Sequence, residues 1–175
     1  MFIKLNFILV FILIICFSIP GFTASQIIDN FSSTSGWSLN EDGGGIDIAQ
    51  GEIPGPNGES TLSLGFNIKA NPWGNAKHSV TIPPSALGVE FDVYVVNAGP
   101  DAAMHVWFME ADGDGWVSMV NPKDRFNKFG KKWTHCYVPF SSFNYEARGN
   151  GTRQLLTANK LMLGLNFSDV RICIA

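Results

Sequence analysis

The chain has 175 residues with a formal net charge of −3, and hydrophobic residues make up 46% of it. This length favours a single domain, and the apolar content excludes a chain that is disordered throughout. No run of Lys or Arg forms the positive patch typical of nucleic-acid-binding proteins, so nucleic acid is not a predicted partner.

Residues 1–24 have the pattern of a secretory signal peptide. One basic residue, Lys4, precedes the apolar run FILVFILIICFSI at 7–19, and small residues follow. This run is shorter than the roughly 18 residues that indicate a spanning helix. We predict cleavage after Ala24 and a mature domain of residues 25–175 that is secreted or extracellular and has no membrane association. An uncleaved membrane anchor is the alternative.

Period-two alternation dominates the mature chain and predicts an all-β fold. Shorter apolar pieces lie near Ile27, Trp37 and Ile46, and clusters of Gly, Pro, Asn and Asp separate the runs. This spacing is typical of a sandwich of two antiparallel sheets. The eight main runs are Thr61 to Ile68, Lys77 to Ile82, Gly88 to Val96, Ala103 to Ala111, Gly115 to Val120, Trp133 to Phe140, Leu161 to Phe167 and Val170 to Ala175.

The alternation also assigns side chains to the two faces of each strand. The apolar set predicts a core that includes Phe91, Val93, Val106, Phe108, Val138, Leu163 and Leu165, and we expect Trp37 and Trp133 to be buried as well. If the strands lie in one sheet, the opposite set forms a single aromatic and polar surface. Its members are Asp92, Tyr94, His105, Trp107, His135, Tyr137 and Asn166, with Trp73 and Trp116 in flanking loops.

Such a surface suits a sugar. An aromatic ring can pack against the C–H face of a pyranose, while Asp, His, Asn and Tyr side chains supply donors and acceptors for its hydroxyls. The alternative is that another part of the protein covers the surface and that the aromatic rings are simply packed.

Two cysteines remain after signal cleavage, Cys136 and Cys173. Both fall in predicted strands, and export to an oxidising compartment favours a disulfide between them. Two buried free thiols are the alternative. Neither cysteine lies in a spacing typical of a zinc site.

The segment Gly130 to Phe143, GKKWTHCYVPFSSF, resembles a recurring stretch of carbohydrate-binding modules with the galactose-binding-like jelly roll. The opening DNFSSTSGW, the early strand GESTLSLGF, and the later GVEFDVYV, LMLGLNF and VRICIA are similar to the same family plan. The resemblance implies an all-β jelly-roll β-sandwich and a non-catalytic module that accompanies secreted polysaccharide-degrading enzymes. The chain stops at Ile174-Ala175 without the acidic end typical of the family, so we expect a fragment or the front module of a longer enzyme.

Calcium is the other candidate ligand. Glu110, Asp112 and Asp114 partly match an EF-hand loop, but their strand-like flanks favour a plain hairpin turn. Modules of the resembled family often carry a structural calcium elsewhere, which the resemblance places at Asp29 and Glu52. No other cofactor is expected.

The sequence therefore predicts a secreted, non-catalytic module that binds a polysaccharide or oligosaccharide resembling β-glucan, with no catalytic residues of its own. Two alternatives stay open. The chain is the front part of a glycoside hydrolase whose catalytic domain lies beyond residue 175, or it is an extracellular structural or interaction module.

Overall fold

The protein is described by a computed structural model that covers residues 26–39, 45–71, 73–120, 126, 129–147 and 149–175. The predicted signal peptide lies outside the described residues. Within those residues, no helix is long and apolar enough to cross a membrane.

The described residues form eleven β-strands and two short 3-10 turns, Phe140–Ser142 and Leu155–Thr157. All eight runs predicted from the alternation contain a strand, and two of the three shorter pieces do as well. The strands are β1 (Trp37–Leu39), β2 (Ile46–Gln50), β3 (Leu62–Phe66), β4 (Trp73–Ser79), β5 (Gly88–Ala98), β6 (Ala103–Glu110), β7 (Gly115–Met119), β8 (Trp133–Pro139), β9 (Asn144–Ala147), β10 (Ala158–Asn166) and β11 (Val170–Ile174).

The strands form two sheets whose neighbours are antiparallel. The six-stranded sheet has the order β1-β4-β10-β6-β7-β9, and the five-stranded sheet has the order β2-β3-β11-β5-β8. Strands adjacent in sequence often lie in different sheets, so the chain crosses between layers repeatedly. The predicted jelly-roll β-sandwich is confirmed.

The core lies between the sheets and contains the inward-facing residues of both. Val93 and Val106 are completely buried, and Phe108 is 1% exposed. The seven residues of β5, β6, β8 and β10 that the alternation predicted for the core are all buried, because alternate residues of these strands point inward. Phe167 is the exception within its run. It follows the end of β10 with a φ of 72° and is exposed.

Two further predictions about tryptophans are wrong. Trp37 is buried as expected, but Trp133 is only half-buried and lies on the outer side of β8. Trp73 and Trp116 are strand residues of β4 and β7, not loop residues. The polar and glycine neighbours that suggested turns belong to the strand ends.

The predicted disulfide is absent, because Cys136 and Cys173 are free, buried thiols. Cys136 is on β8 and Cys173 is on β11, and β5 lies between these two strands. Cys136 is opposite Phe91 on the core side, whereas Cys173 is opposite Tyr94 on the outer side. The two side chains therefore lie on opposite faces of the five-stranded sheet.

Candidate functional site

The polar and aromatic residues predicted to share one surface are divided between two. His105, Trp107, Asn166 and Trp73 belong to the six-stranded sheet, and we call its outer side the Trp107 face. The five-stranded sheet carries the other four, and we call its outer side the Tyr137 face. Those four are Asp92, Tyr94, His135 and Tyr137.

Strand register defines four cross-strand rows on the Trp107 face. Four strands, β4, β10, β6 and β7, give the face a width of about 14 Å at ordinary strand spacing. Two of the rows contain a charged side chain, Lys77 in one and Lys160 in the other. The rows are Trp73, Asn166 and Ala103; then Asn75, Gly164, His105 and Met119; then Lys77, Met162, Trp107, Val117 and Asn144; then Ser79, Lys160, Met109 and Gly115.

His105 lies at the centre of the Trp107 face and is only 7% exposed. Its ring occupies the space over Gly164, where an added Cβ would collide with the imidazole. Across that glycine, His105 Nε2 is 3.2 Å from Asn75 Oδ1. Burial lowers the pKa of His105 from 6.5 to about 4, so the ring is neutral at pH 7. Because Nε2 faces the amide oxygen of Asn75, the ring proton is on Nε2, which donates a hydrogen bond to Asn75 Oδ1.

Trp107 stands beside this pair and is half-buried. Its ring centroid is 6.0 Å from that of His105, with an angle of 59° between the planes. Among the described residues, its buried indole N–H has no hydrogen-bond acceptor, and buried Asn166 Oδ1 on the same face has no donor. Unsatisfied buried polar atoms are rare in folded proteins and often mark functional positions. The Trp107 face contains two of them.

Trp116 does not contribute to either outer surface. It is opposite Phe108 on β6 and is buried at the edge of the core, where its ring centroid lies 5.3 Å from that of Tyr145. The guanidinium of Arg153 lies over its ring at 5.4 Å from the centroid. Trp116 therefore has a packing role in this structure.

The Tyr137 face is more exposed and more highly charged. Tyr137 is 54% exposed, and the Tyr94 and Trp133 rings lie 5.6 Å apart. His135 Nδ1 is 3.3 Å from Asp92 Oδ1, and His135 Nε2 is 3.8 Å from Glu90 Oε2. The acidic groups and solvent exposure distinguish this surface from the Trp107 face, whose rows contain two lysines and no acidic side chain.

The two acids proposed for calcium by resemblance lie in different surroundings. Asp29 accepts hydrogen bonds from the Trp37 indole at 2.6 Å and from the Phe31 amide at 2.8 Å. Both carboxylate oxygens of Asp29 thus hold the start of β1 in place. Glu52 is exposed, and within the described residues it joins no cluster of three or more acidic, histidine or cysteine ligands.

One such cluster does occur in the described part of the chain. It contains Glu110, Asp112 and Asp114 at the tip of the β6–β7 hairpin, with ligand atoms all within 4.8 Å of one another. The hairpin agrees with the turn predicted from the sequence. The close approach of the three carboxylates was not predicted, because hairpin geometry alone does not show which acids point inward.

Sequence analysis missed three contributors to the Trp107 face, namely Asn75, Lys77 and Gly164. Asn75 lies two residues after Trp73, which was predicted to be in a loop, yet Asn75 is 3% exposed within β4. Gly164 lies beneath the His105 ring, and this role depends on a cross-strand register. Only the pairing of β10 with both β4 and β6 brings these residues together.

Comparisons with solved structures identify proteins of the same architecture. A family 11 carbohydrate-binding module from Clostridium thermocellum, solved with a β-1,3-1,4-mixed-linked tetrasaccharide, is similar with a TM-score of 0.61 and 16% identity. The match covers 84% of this chain and 89% of that module. The CBM22-1 xylan-binding domain from Paenibacillus barcinonensis Xyn10C matches with a TM-score of 0.50 and 16% identity, over 86% and 93% of the two chains.

An exo-β-agarase structure matches with a TM-score of 0.58 and 13% identity, over 86% of this chain but only 24% of the agarase chain. No protein-family model matches the sequence, and no curated protein matches it significantly. These likenesses establish architecture at low sequence identity. The chain has the jelly-roll sandwich fold found in family 11 and family 22 carbohydrate-binding modules.

Proposed function

We propose that this protein is a non-catalytic module that binds a polysaccharide on the Trp107 face. The observation that carries the proposal is the arrangement around His105. A half-buried tryptophan stands beside a neutral histidine–asparagine pair, and two polar atoms on the same face lack partners. Sugar hydroxyls that reached these atoms would supply the missing hydrogen bonds, and the indole offers an apolar surface to a pyranose.

The charge of the face indicates the class of polysaccharide. Lys77 and Lys160 are the charged side chains in the four rows, no acidic side chain lies among them, and His105 is neutral at pH 7. A chain of neutral sugars fits such a surface because it requires no counter-charges. The mixed-linked tetrasaccharide of the family 11 module and the xylan of the CBM22-1 domain support testing neutral β-glucan and xylan first.

Two substitutions on opposite faces test the proposal. Trp107→Ala should weaken retention on mixed-linkage β-glucan or xylan in affinity electrophoresis. A central interface aromatic is often worth about 2 kcal/mol, which corresponds to roughly a 30-fold increase in Kd. Tyr137→Ala removes an exposed aromatic from the Tyr137 face and should leave retention unchanged.

The stability of both variants must be measured alongside binding. If Trp107→Ala lost roughly 3 to 5 kcal/mol of unfolding free energy, the residue would act as a core side chain, and its effect on binding would have another cause. If Tyr137→Ala weakened retention while Trp107→Ala did not, the binding surface would lie on the five-stranded sheet.

We further propose that the module is secreted and works attached to, or beside, a polysaccharide-degrading enzyme. The signal-peptide pattern of residues 1–24 supports export. The agarase match supports attachment, since a similar sandwich accounts for about a quarter of that chain. Expression with the native leader, followed by N-terminal sequencing of medium protein, should give a mature chain that begins at Ser25. Retention inside the cells with an intact leader would contradict secretion.

A further inference from the structure

We propose that the tip of the β6–β7 hairpin is a calcium site formed by Glu110, Asp112 and Asp114. Ligand oxygens of the three carboxylates lie within 4.8 Å of one another. Calcium binds oxygen at about 2.4 Å, so two ligands on opposite sides of one ion are separated by about 4.8 Å. The separations are therefore within the span that one calcium ion can bridge.

An unsatisfied oxygen of Glu110 is the second, independent observation. Glu110 is 3% exposed, and its Oε2 makes no hydrogen bond with any described residue, whereas Oε1 accepts one from the Gln154 amide at 2.6 Å. The Trp116 indole N–H lies near Glu110, but its geometry is not that of a hydrogen bond. A buried carboxylate oxygen without a partner is energetically costly, and a bound cation would remove that cost.

The charges of the cluster point in the same direction. Glu110 and Asp114 are buried, and the three carboxylates lie close together. A divalent cation would offset both the burial and the mutual repulsion of the carboxylates. The competing explanation is that Glu110 holds a proton and the cluster needs no metal. The experiment below separates these two explanations.

The loop that follows β9 holds the carboxylates in position. The Gly149 and Gly151 amides donate to Asp114 Oδ1 and Oδ2 at 2.7 and 2.9 Å. The side-chain amide of Asn150 donates to Asp112 Oδ2 at 2.5 Å. Donors from the loop thus fix the orientation of two ligands before any ion binds, and an ion would tie the hairpin more firmly to this loop.

The donor set selects the metal. All three ligands are carboxylates, and hard oxygen ligands favour calcium or magnesium over zinc or copper. Magnesium requires a compact octahedron at 2.0–2.1 Å, whereas calcium accepts irregular geometry at longer distances. The flanking elements are strands, so this site is unrelated to the helix-flanked EF-hand.

Calcium titration of the full chain, after removal of metals with EDTA, tests the proposal without reference to sugar binding. A Ca²⁺ concentration of roughly 100 times Kd should raise Tm by about 5 to 10 °C for a domain of this size. Mg²⁺ at the same concentration should give a smaller rise. Calorimetric titration should show one calcium site per chain.

Matched variants locate the site. Glu110→Gln keeps the shape of the side chain but removes its charge, and it should abolish the calcium-dependent rise in Tm. Glu52→Gln makes the same change at an exposed acid and should keep the full rise. Asp112→Asn changes an exposed ligand, so it should fold normally and weaken calcium binding at least tenfold, which keeps the test valid if Glu110→Gln fails to fold.

Three results would overturn the proposal. The first is the absence of both calorimetric heat and a Tm shift with millimolar Ca²⁺, which would favour the protonated cluster. The second is loss of the shift in Glu52→Gln, which would place the ion elsewhere. The third is an unchanged calcium affinity in Asp112→Asn.

Discussion

At the scale of single residues, His105 combines two properties that rarely occur together, since it lies on an outer face and is nearly completely buried. The missing side chain of Gly164 makes room for its ring, and Asn75 satisfies its Nε2. The protein consequently places a neutral hydrogen-bonding group at the centre of the Trp107 face. Its neutrality has a measurable consequence for stability.

The stability of the protein should fall between pH 6.5 and pH 4 because of His105. Its pKa is lowered from 6.5 to about 4 in the folded state, so the unfolded chain binds this proton more readily. The stability that depends on a neutral His105 ring is fully present above pH 6.5 and is lost as the pH falls toward 4. It amounts to about 3 kcal/mol, because each pKa unit corresponds to 1.36 kcal/mol.

Urea unfolding at pH 7 and at pH 4.5 measures this effect. The difference between the two pH values should be smaller by about 2 to 3 kcal/mol in His105→Gln than in the wild type. Equal pH dependence in His105→Gln and in the wild type would contradict a buried neutral imidazole.

Gly164→Ala should disrupt the Trp107 face with one methyl group. The new Cβ would collide with the His105 ring and with Asn75 Oδ1, and their hydrogen bond would be broken or displaced. We expect a loss of about 1 to 3 kcal/mol in stability together with reduced polysaccharide retention. Chemical unfolding and affinity electrophoresis measure the two effects.

A double-mutant cycle shows whether the collision is the cause. His105→Ala removes the ring, so adding Gly164→Ala to that variant should cost clearly less stability than adding it to the wild type. Equal costs in both backgrounds would mean that the collision with the His105 ring is not the cause, which leaves Asn75 and the backbone of Gly164.

At the scale of elements, strand order explains why the cysteines remain reduced. Because β5 lies between β8 and β11, Cys136 and Cys173 are separated by two strand spacings, roughly 9 to 10 Å, which exceeds the Cα separation that a disulfide tolerates. They also point to opposite sides of the sheet. No rotamer change can bring their sulfur atoms together.

The absence of a bridge predicts insensitivity to reductant. Adding dithiothreitol should leave Tm unchanged, and mass analysis after alkylation in denaturant should find two modified cysteines in the mature chain. Burial raises the pKa of Cys136 to about 11, so reaction with thiol reagents in the native state should be slow at pH 8. A fall in Tm upon reduction would contradict the strand order.

Local alternation predicted the strands and their core faces because side chains on successive residues point to opposite sides of any sheet. Phe91 and Val106 were assigned correctly on that basis alone. Alternation does not determine the sheet that a strand joins, and this is why Tyr94 and Trp107 were predicted to share a surface. Strand order results from contacts between distant segments. The short strand β9 was missed for a related reason, since its four residues depend on pairing with β7.

At the scale of the whole molecule, the sandwich places three distinct chemistries on separate sides. The Trp107 face carries aromatic and neutral polar groups with two lysines, the Tyr137 face carries exposed aromatic and acidic groups, and the hairpin tip carries the carboxylate cluster. The core between the sheets separates the two faces. Strand β6 connects the Trp107 face to the carboxylate cluster, as it contains both Trp107 and Glu110.

The Trp107 face and the carboxylate cluster should act independently, although they share strand β6. Three residues along a strand correspond to about 10 Å, and sites at such distances without shared partners usually contribute additively. Trp107 and Glu110 also point to opposite sides of β6, because an odd number of residue steps separates them. Glu110→Gln should therefore change the calcium-dependent Tm while leaving the Kd for polysaccharide within about twofold of the wild type. The stability losses of Trp107→Ala and Glu110→Gln should add within about 0.5 kcal/mol in the double variant, measured by urea unfolding in excess Ca²⁺. A larger coupling, or a calcium-dependent Kd for β-glucan, would show that the hairpin tip positions the Trp107 face through β6.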